Sequence, residues 1–219
     1  MSEPGSARGE LFVLSAPSGG GKTSLARALL PRLVAAGLKA AISVSYTTRA
    51  PRPGEEDGVH YHFVSEVDFA GMIGQGAFLE HASVFGRRYG TGRQRTEAQL
   101  AAGYDVILDI DWQGSRQVKT HAPETQSIFI LPPSVAELER RLRSRAQDSD
   151  AAIAERMRQA REEMAHYDEY DYLIINDRFE PALEQLLAIF VARRQRHERQ
   201  IPRHSALLAA LVDKKSAIR

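Results

Sequence analysis

The chain contains no cysteine. That excludes disulfides and cysteine-ligated metal centres, and it fits a reducing compartment. No apolar run approaches the ~20 residues that a membrane-spanning helix needs. The opening M-S-E-P-G-S-A-R-G-E has no apolar core of a signal peptide. Charge of one sign is also missing: 29 Lys and Arg stand against 28 Asp and Glu, a formal net charge of +1. General nucleic-acid binding draws on a strongly basic patch, so nucleic acid is not an expected partner. Internal repeats and low-complexity tracts are absent. The seven histidines are scattered, and His60-x-His62 is explained by alternation on a strand. The expectation is a cytoplasmic α/β protein without membrane attachment, and homo-oligomerisation is left open. Its 219 residues suffice for one large domain with lobes.

What is present alternates. Beyond a polar tail at 1–8, residues 10–15 read as a short buried strand and 24–36 as a helix that Pro31 is expected to kink or end. Residues 38–46 read as a second strand. Ser65 and Asp68 open a short helix, and F-L-E-H-A-S-V-F-G-R-R-Y-G reads as short strands with turns. Helices at 93–102, 112–120, 134–145 and 151–167 then alternate with strands at 106–110, 127–131 and 172–175, and a long C-terminal helix follows. Gly103 is a natural C-terminal cap and Ser134-x-x-Glu137 a capping box. Such alternation implies a parallel sheet covered on both faces.

Residues 16–23 read A-P-S-G-G-G-K-T, straight after the first strand and into the first helix. This is the phosphate-loop pattern G-x-x-x-x-G-K-[ST], with Ala16 where the first glycine belongs. Glycines let backbone N–H groups wrap an anion at a helix N-terminus. Lys22 is then a charge for the β- and γ-phosphates, and the Thr23 hydroxyl a Mg²⁺ ligand. Ala16, Pro17, Ser18, Gly19, Gly20 and Gly21 complete the expected ATP cradle. V-I-L-D-I-D ends a strand in carboxylates, where open α/β sheets bind ligands. Asp109 is therefore a second Mg²⁺ candidate, directly or through water, against the plainer role of capping the next helix.

With these motifs in place the chain resembles the bacterial guanylate kinases, from about residue 11 to about residue 211. The resemblance rests on A-P-S-G-G-G-K-T, S-Y-T-T-R-A-P-R-P-G-E, G-V-H-Y-H-F, F-L-E-H, Y-G-T, I-L-D-I-D-W-Q-G, I-F-I-L-P-P-S, R-x-x-x-R and I-I-N-D, in that order. It implies a phosphate-loop α/β fold, a single domain in three parts. These are a core (9–46, 93–140 and 168–212), a GMP-binding lobe (47–92) and a lid (about 141–167). It implies Mg²⁺-dependent transfer of the ATP γ-phosphoryl group to GMP. It assigns GMP to Ser45, Arg49, Arg52, Tyr61, Glu80, Tyr89, Thr91 and Asp111. It assigns catalysis to Lys22, Arg49, Arg141, Arg145 and Arg156, and places Asn176 near ATP.

The chemistry of these residue types agrees. Guanidinium groups fork onto phosphate oxygens. A carboxylate such as Glu80 accepts from guanine N1–H and N2–H₂ together, a donor pair that adenine lacks. Three departures stand out: Ala16 in the loop, Gly92 where the family often has serine, and Ser144 and Ala146 flanking Arg145. Three other readings fit the residues less well. A related ribose-bisphosphate kinase is expected to lack part of the base-reading set, but Glu80, Tyr89 and Asp111 all stand. A dead scaffold typically loses the loop lysine, which is kept. A nucleotide-gated switch needs switch segments, where an acceptor lobe is found instead.

Overall fold

The computed structural model describes residues 8–84, 86–145 and 150–212, and of Arg145 the backbone alone. In chain order the first half forms β1 (Leu11–Ser15), α1 (Lys22–Ala35), β2 (Ala40–Ile42), β3 (Tyr46–Thr47), β4 (His62–Phe63), α2 (Glu66–Gly74), β5 (Phe78–Val84) and β6 (Arg87–Gly92). Then come α3 (Arg93–Ala101), β7 (Asp105–Asp109), α4 (Trp112–His121), β8 (Gln126–Leu131), α5 (Val135–Arg145) and α6 (Asp150–Met164). A single 3₁₀ turn at Tyr167–Glu169 precedes β9 (Tyr172–Ile175), α7 (Phe179–Arg194), α8 (His197–Arg203) and α9 (Ser205–Val212).

Two sheets result. The first has five strands in the order β2-β7-β1-β8-β9, all parallel. Side chains on a strand alternate between faces, and here both faces are apolar. Phe12, Leu14 and Ile107 join a core with Leu25, Leu29 and Leu33 of α1 and Leu186 and Phe190 of α7. Val13, Val106 and Leu108 face the other way, with Leu100 of α3 and Val118 of α4. The second sheet is mixed, in the order β4-β3-β6-β5. Phe69 of α2 stacks on Phe78 of β5 at 4.6 Å.

Three sequence readings change. The single strand expected at 38–46 is two, in different sheets. Ser43 N–H still bonds Ile107 O along the parallel sheet, while the Ser45 carbonyl already accepts from His62 in the mixed one. Pro31 does not end α1, which runs on to Ala35. The fully buried Leu29 and Leu33 hold both sides of it against the sheet. The long C-terminal helix is three helices. Arg196 is extended between α7 and α8, and Pro202 near the end of α8 removes a backbone donor. Neither α8 nor α9 buries a residue. Ser65 accepts from Asp68 N–H at 3.0 Å and Ser134 from Glu137 N–H at 3.1 Å, as read, while the Glu137 carboxylate goes to Arg140 and Arg141. No helix among the described residues is long and apolar enough to cross a membrane.

Candidate active site

The loop after β1 is built by its glycines. Gly19 and Gly21 have φ of 87° and 95°, a region that side chains with a Cβ rarely adopt. A Cβ on Gly21 would lie 2.3 Å from Asn176 Nδ2. Ala16 is accommodated because residue 20 has no side chain: a Cβ there would come within 2.9 Å of the Ala16 methyl. That methyl packs on the core instead. Asn176, buried at the end of β9, donates from Nδ2 to the Gly20 carbonyl at 2.9 Å and braces the loop from behind.

Lys22 opens α1 and meets Asp109 at 2.7 Å, with a further bond to the Ile110 carbonyl at 3.0 Å. Burial works against the lysine's charge. Asp109, with Glu163 and Asp111 adding to it, more than offsets this and holds the ammonium above its usual pKa. Thr23 donates to the other Asp109 oxygen at 3.0 Å. The capping role considered for Asp109 belongs to Asp111, which accepts from Gly114 N–H at 2.9 Å and starts α4. Asp109 and Thr23 thus form a pair of hard oxygen donors beside the loop lysine. That pair fits Mg²⁺, which takes one or two protein oxygens and completes its shell with phosphate and water. Among the described residues no group of three or more histidines or carboxylates gathers as a self-sufficient metal cage.

The mixed sheet supplies the opposite wall. Glu80 on β5 is 3 % exposed and accepts from the Thr91 hydroxyl on β6 at 2.6 Å. Burial pushes its carboxyl up to about 7, with Thr91 opposing and Asp111 adding to the rise. Its Oε2 rests on α4 at Gly114, where a Cβ would stand 2.6 Å away. Arg49 pairs with Glu55 at 2.8 Å and lies over the Tyr61 ring at 5.3 Å. Glu55 also accepts from Arg52 N–H at 2.8 Å, so one carboxylate ties both arginines of the loop. Tyr61 and Tyr89 meet edge to face at 6.0 Å.

These walls enclose one open cleft of ≈1080 Å³. Of the expected residues, Ala16, Pro17, Ser18, Gly19, Gly21, Lys22 and Thr23 line it on one side. Ser45, Arg49, Arg52, Tyr61, Glu80, Tyr89, Asp109, Asp111 and Arg156 line it as well. Gly20, Thr91, Arg141 and Asn176 do not. Gly20 is turned in against Pro17, whose carbonyl its N–H reaches at 2.8 Å. Thr91 is fully buried behind Glu80. Arg141 is held by Glu137 at 2.7 Å and by the Asn176 carbonyl at 2.9 Å. The Arg145 side chain and Ala146 lie outside the described residues.

Two functional features escaped the sequence reading. Glu55 is the last residue of S-Y-T-T-R-A-P-R-P-G-E, and its place six after Arg49 was the available signal. Gly114 is the last residue of I-L-D-I-D-W-Q-G, and a glycine in the first turn of a helix hints at a close approach. Gly92, one of the departures, has a reason of its own: a Cβ there would meet the Tyr46 ring at 3.0 Å.

A parallel sheet, a phosphate loop at the end of its central strand and a lysine–aspartate pair beside it define a phosphate-loop nucleotide-binding enzyme. The Guanylate kinase family model matches residues 8–193. Among curated proteins, the guanylate kinase of Vibrio cholerae is 55% identical over 205 residues, covering 94% of this chain and 98% of that protein. The guanylate kinase of Salmonella choleraesuis is 56% identical over 206 residues, covering 94% and 99%. Among solved structures, the guanylate kinase of Anaplasma phagocytophilum superposes with a TM-score of 0.73 at 33% identity, covering 91% and 95%. The chain belongs to the guanylate kinase family.

Proposed function

We propose that this cleft transfers the γ-phosphoryl group of ATP to GMP, giving ADP and GDP. The observation that carries this is the convergence of two different sites on one cleft. A phosphate loop with its lysine stands on one wall, and a buried carboxylate flanked by arginines and tyrosines on the other. The first suits a triphosphate. The second suits a base with adjacent donors, carried on a phosphate monoester.

The roles divide accordingly. Residues 16–21 and Lys22 hold the ATP phosphates. Arg49 and Arg52 fork onto the GMP phosphate, with Tyr61 and Tyr89 donating hydroxyls. Glu80 accepts from guanine N1–H and N2–H₂, Asp111 accepts from the amino group, and Ser45 offers a hydroxyl to the base, while Thr91, buried behind Glu80, acts through the hydrogen bond it gives that carboxylate. Asn176 acts through the loop it braces. An oxygen of the GMP phosphate attacks the γ-phosphorus, and the bond from that phosphorus to the β-phosphate bridging oxygen breaks. Such a transition state is stabilised chiefly by placement and charge. Lys22 supplies charge at the loop, and Arg156 with Arg141 and Arg145 supplies it from the helices opposite. Arg141 must exchange its present partners to do so. Thr23 and Asp109 hold Mg²⁺, which supplies further positive charge to the phosphate oxygens when bound.

Division of labour follows the two sheets: a core of 9–46, 93–140 and 168–212, a GMP lobe of 47–92 and a lid of about 141–167. The lobe and lid close together and exclude water that would otherwise take the phosphoryl group. The deciding experiment is ADP release from ATP with GMP, IMP, AMP and ribose bisphosphate as acceptors. GMP is expected to lead by a wide margin, and excess chelator to abolish turnover. Preference for ribose bisphosphate, or full activity in chelator, overturns the assignment.

A further inference from the structure

The donors of the phosphate loop are not all turned to the cleft alone. Ser18 N–H donates to the Glu163 carboxylate at 3.0 Å. Glu163 lies at the end of α6, one residue before Met164. Along α6, Ala152, Arg156, Gln159 and Glu163 all line the cleft. Steps of three and four residues are the helical repeat, so these side chains share one face. At about 1.5 Å of rise per residue, Arg156 stands roughly 10 Å along the axis from Glu163.

The same end of α6 is gripped again just beyond it. His166 stacks on Trp112 with ring centres 3.8 Å apart and planes 19° apart. Arg116 lies over that indole at 4.7 Å and forks onto Glu169 at 2.6 and 2.5 Å. The helix is therefore pinned at its C-terminal end to two parts of the site: the phosphate loop, and the start of α4 directly after Asp111. Keeping a carboxylate here is not free. Burial raises the Glu163 pKa, and the Ser18 N–H and Lys22 pull against that rise.

Resting on the reading of the cleft as a site of ATP-to-GMP transfer, we propose that Glu163 is a positioning residue. It hooks α6 to the Ser18 amide and so sets where Arg156 stands relative to phosphates held on the loop. A helix transmits a displacement at one end to its whole length. Transfer is sensitive to placement, and a misplacement of about 1 Å costs on the order of a hundredfold. The GMP wall has no part in the hook, so the effect belongs in kcat and not in GMP binding.

A double-mutant cycle tests this. Glu163→Ala is expected to lower kcat on the order of ten- to a hundredfold, with the KM for GMP unchanged to within about twofold. Glu163→Gln keeps an acceptor oxygen for the amide and is expected to restore most of the loss. In an Arg156→Ala background, Glu163→Ala is expected to add little, because the residue it positions is gone. Fluorescence of Trp112, the single tryptophan of the chain, and thermal melting check that each variant is folded. Multiplicative losses in the double variant overturn the proposal. So does tighter binding of a non-hydrolysable ATP analogue by Glu163→Ala at unchanged kcat, which would make Glu163 a mere competitor for the amide. So does a failure of Glu163→Gln to restore activity while folded. A parent protein that releases no ADP with GMP sinks the underlying reading instead, whereas an active parent with a multiplicative cycle sinks only this inference.

Discussion

The two sheets solve the same problem, holding an anionic ligand, by different means. The parallel sheet is dry on both faces, with Phe12, Val13, Leu14, Ile107 and Ile128 fully buried. It ends in a loop whose recognition groups are largely backbone N–H donors set by local glycine conformations. The mixed sheet is thin. Its strands β3 and β4 are two residues each, and it buries polar groups, Thr47, Glu80 and Thr91, beside Phe69 and Phe78. Its recognition groups are side chains brought together from β5, β6, α4 and the loop at 49–55. A backbone cradle takes any phosphate of suitable shape. A buried carboxylate tells one base from another, because an unpaired charge in that place is costly.

The comparison predicts where specificity and rate reside. The largest effect is discrimination in the mixed-sheet wall. GMP is expected to exceed AMP in kcat/KM by about 10⁴, the scale at which a site with unpaired buried polar groups rejects an analogue. IMP, which lacks only the amino group, is expected to lose about ten- to a hundredfold, for one hydrogen bond to a charged partner. Glu80→Gln should narrow both ratios, as measured by kcat/KM for the three acceptors. Unchanged ratios would remove Glu80 from base reading.

Next in size is the loop. Lys22→Ala should cost about 3 kcal/mol in the transition state, a few hundredfold in kcat. GMP binding, measured by calorimetry, should survive, because the walls act separately. A variant that turns over at the parental rate breaks the comparison from the loop's side.

Third is pH. A carboxyl raised to about 7 by burial is neutral in the folded protein between the ordinary carboxylate range and that value. Its contribution to stability is present below pH ~4.5 and is lost as pH rises through about 7. Guanine requires the ionised form. GMP affinity of the nucleotide-free protein should therefore rise about tenfold from pH 6 to pH 8, with a proton released on binding near pH 6.5. Calorimetry in two buffers of different ionisation heat reads that proton. Glu80→Gln should leave only the part that belongs to the GMP phosphate itself. Identical pH slopes in the two proteins would refute the assignment.

Smaller still is Thr91→Val. It removes the hydroxyl that Glu80 accepts from, at a cost of about 1 kcal/mol or several-fold in the KM for GMP, with kcat nearly unchanged. Smallest is Ala16→Gly, expected to move kcat/KM by less than about twofold. The methyl packs on the core beside Gly20, which has no side chain to crowd it. A large gain in activity would mean that the natural loop is strained.

Legibility in the sequence followed the same divide. A-P-S-G-G-G-K-T could be read as a phosphate cradle because strand, loop and helix are consecutive and each glycine acts where it stands. The alternation of strands and helices likewise carried the parallel sheet, since apolar runs report burial on two faces. Glu80 could not be read that way. Taken alone, a glutamate after F-L is a surface residue, and only resemblance singled it out. Its burial depends on pairing with Thr91 across β5 and β6 and on the gap left by Gly114, 34 positions on. Residues 38–46 misled for a related reason: one extended stretch serves two sheets, and nothing local marks the crossing at 43–45. Pro31 does not end its helix because packing of Leu29 and Leu33 holds the chain on both sides of it.

By itself, then, the sequence determined the phosphate loop, the alternation of strands with helices and the serines that start two of the helices, all of which arise within a few residues of one another. The tertiary structure decided which carboxylate is buried against the mixed sheet and which pairs with the loop lysine. It also decided that Asp111, not Asp109, caps α4, and that the end of α6 sits on the Ser18 amide. Apart from the Asp111 cap, which is made three residues on at Gly114, those outcomes depend on desolvation and on contacts between residues 11 to 145 positions apart, and such energies exist only once distant segments have met.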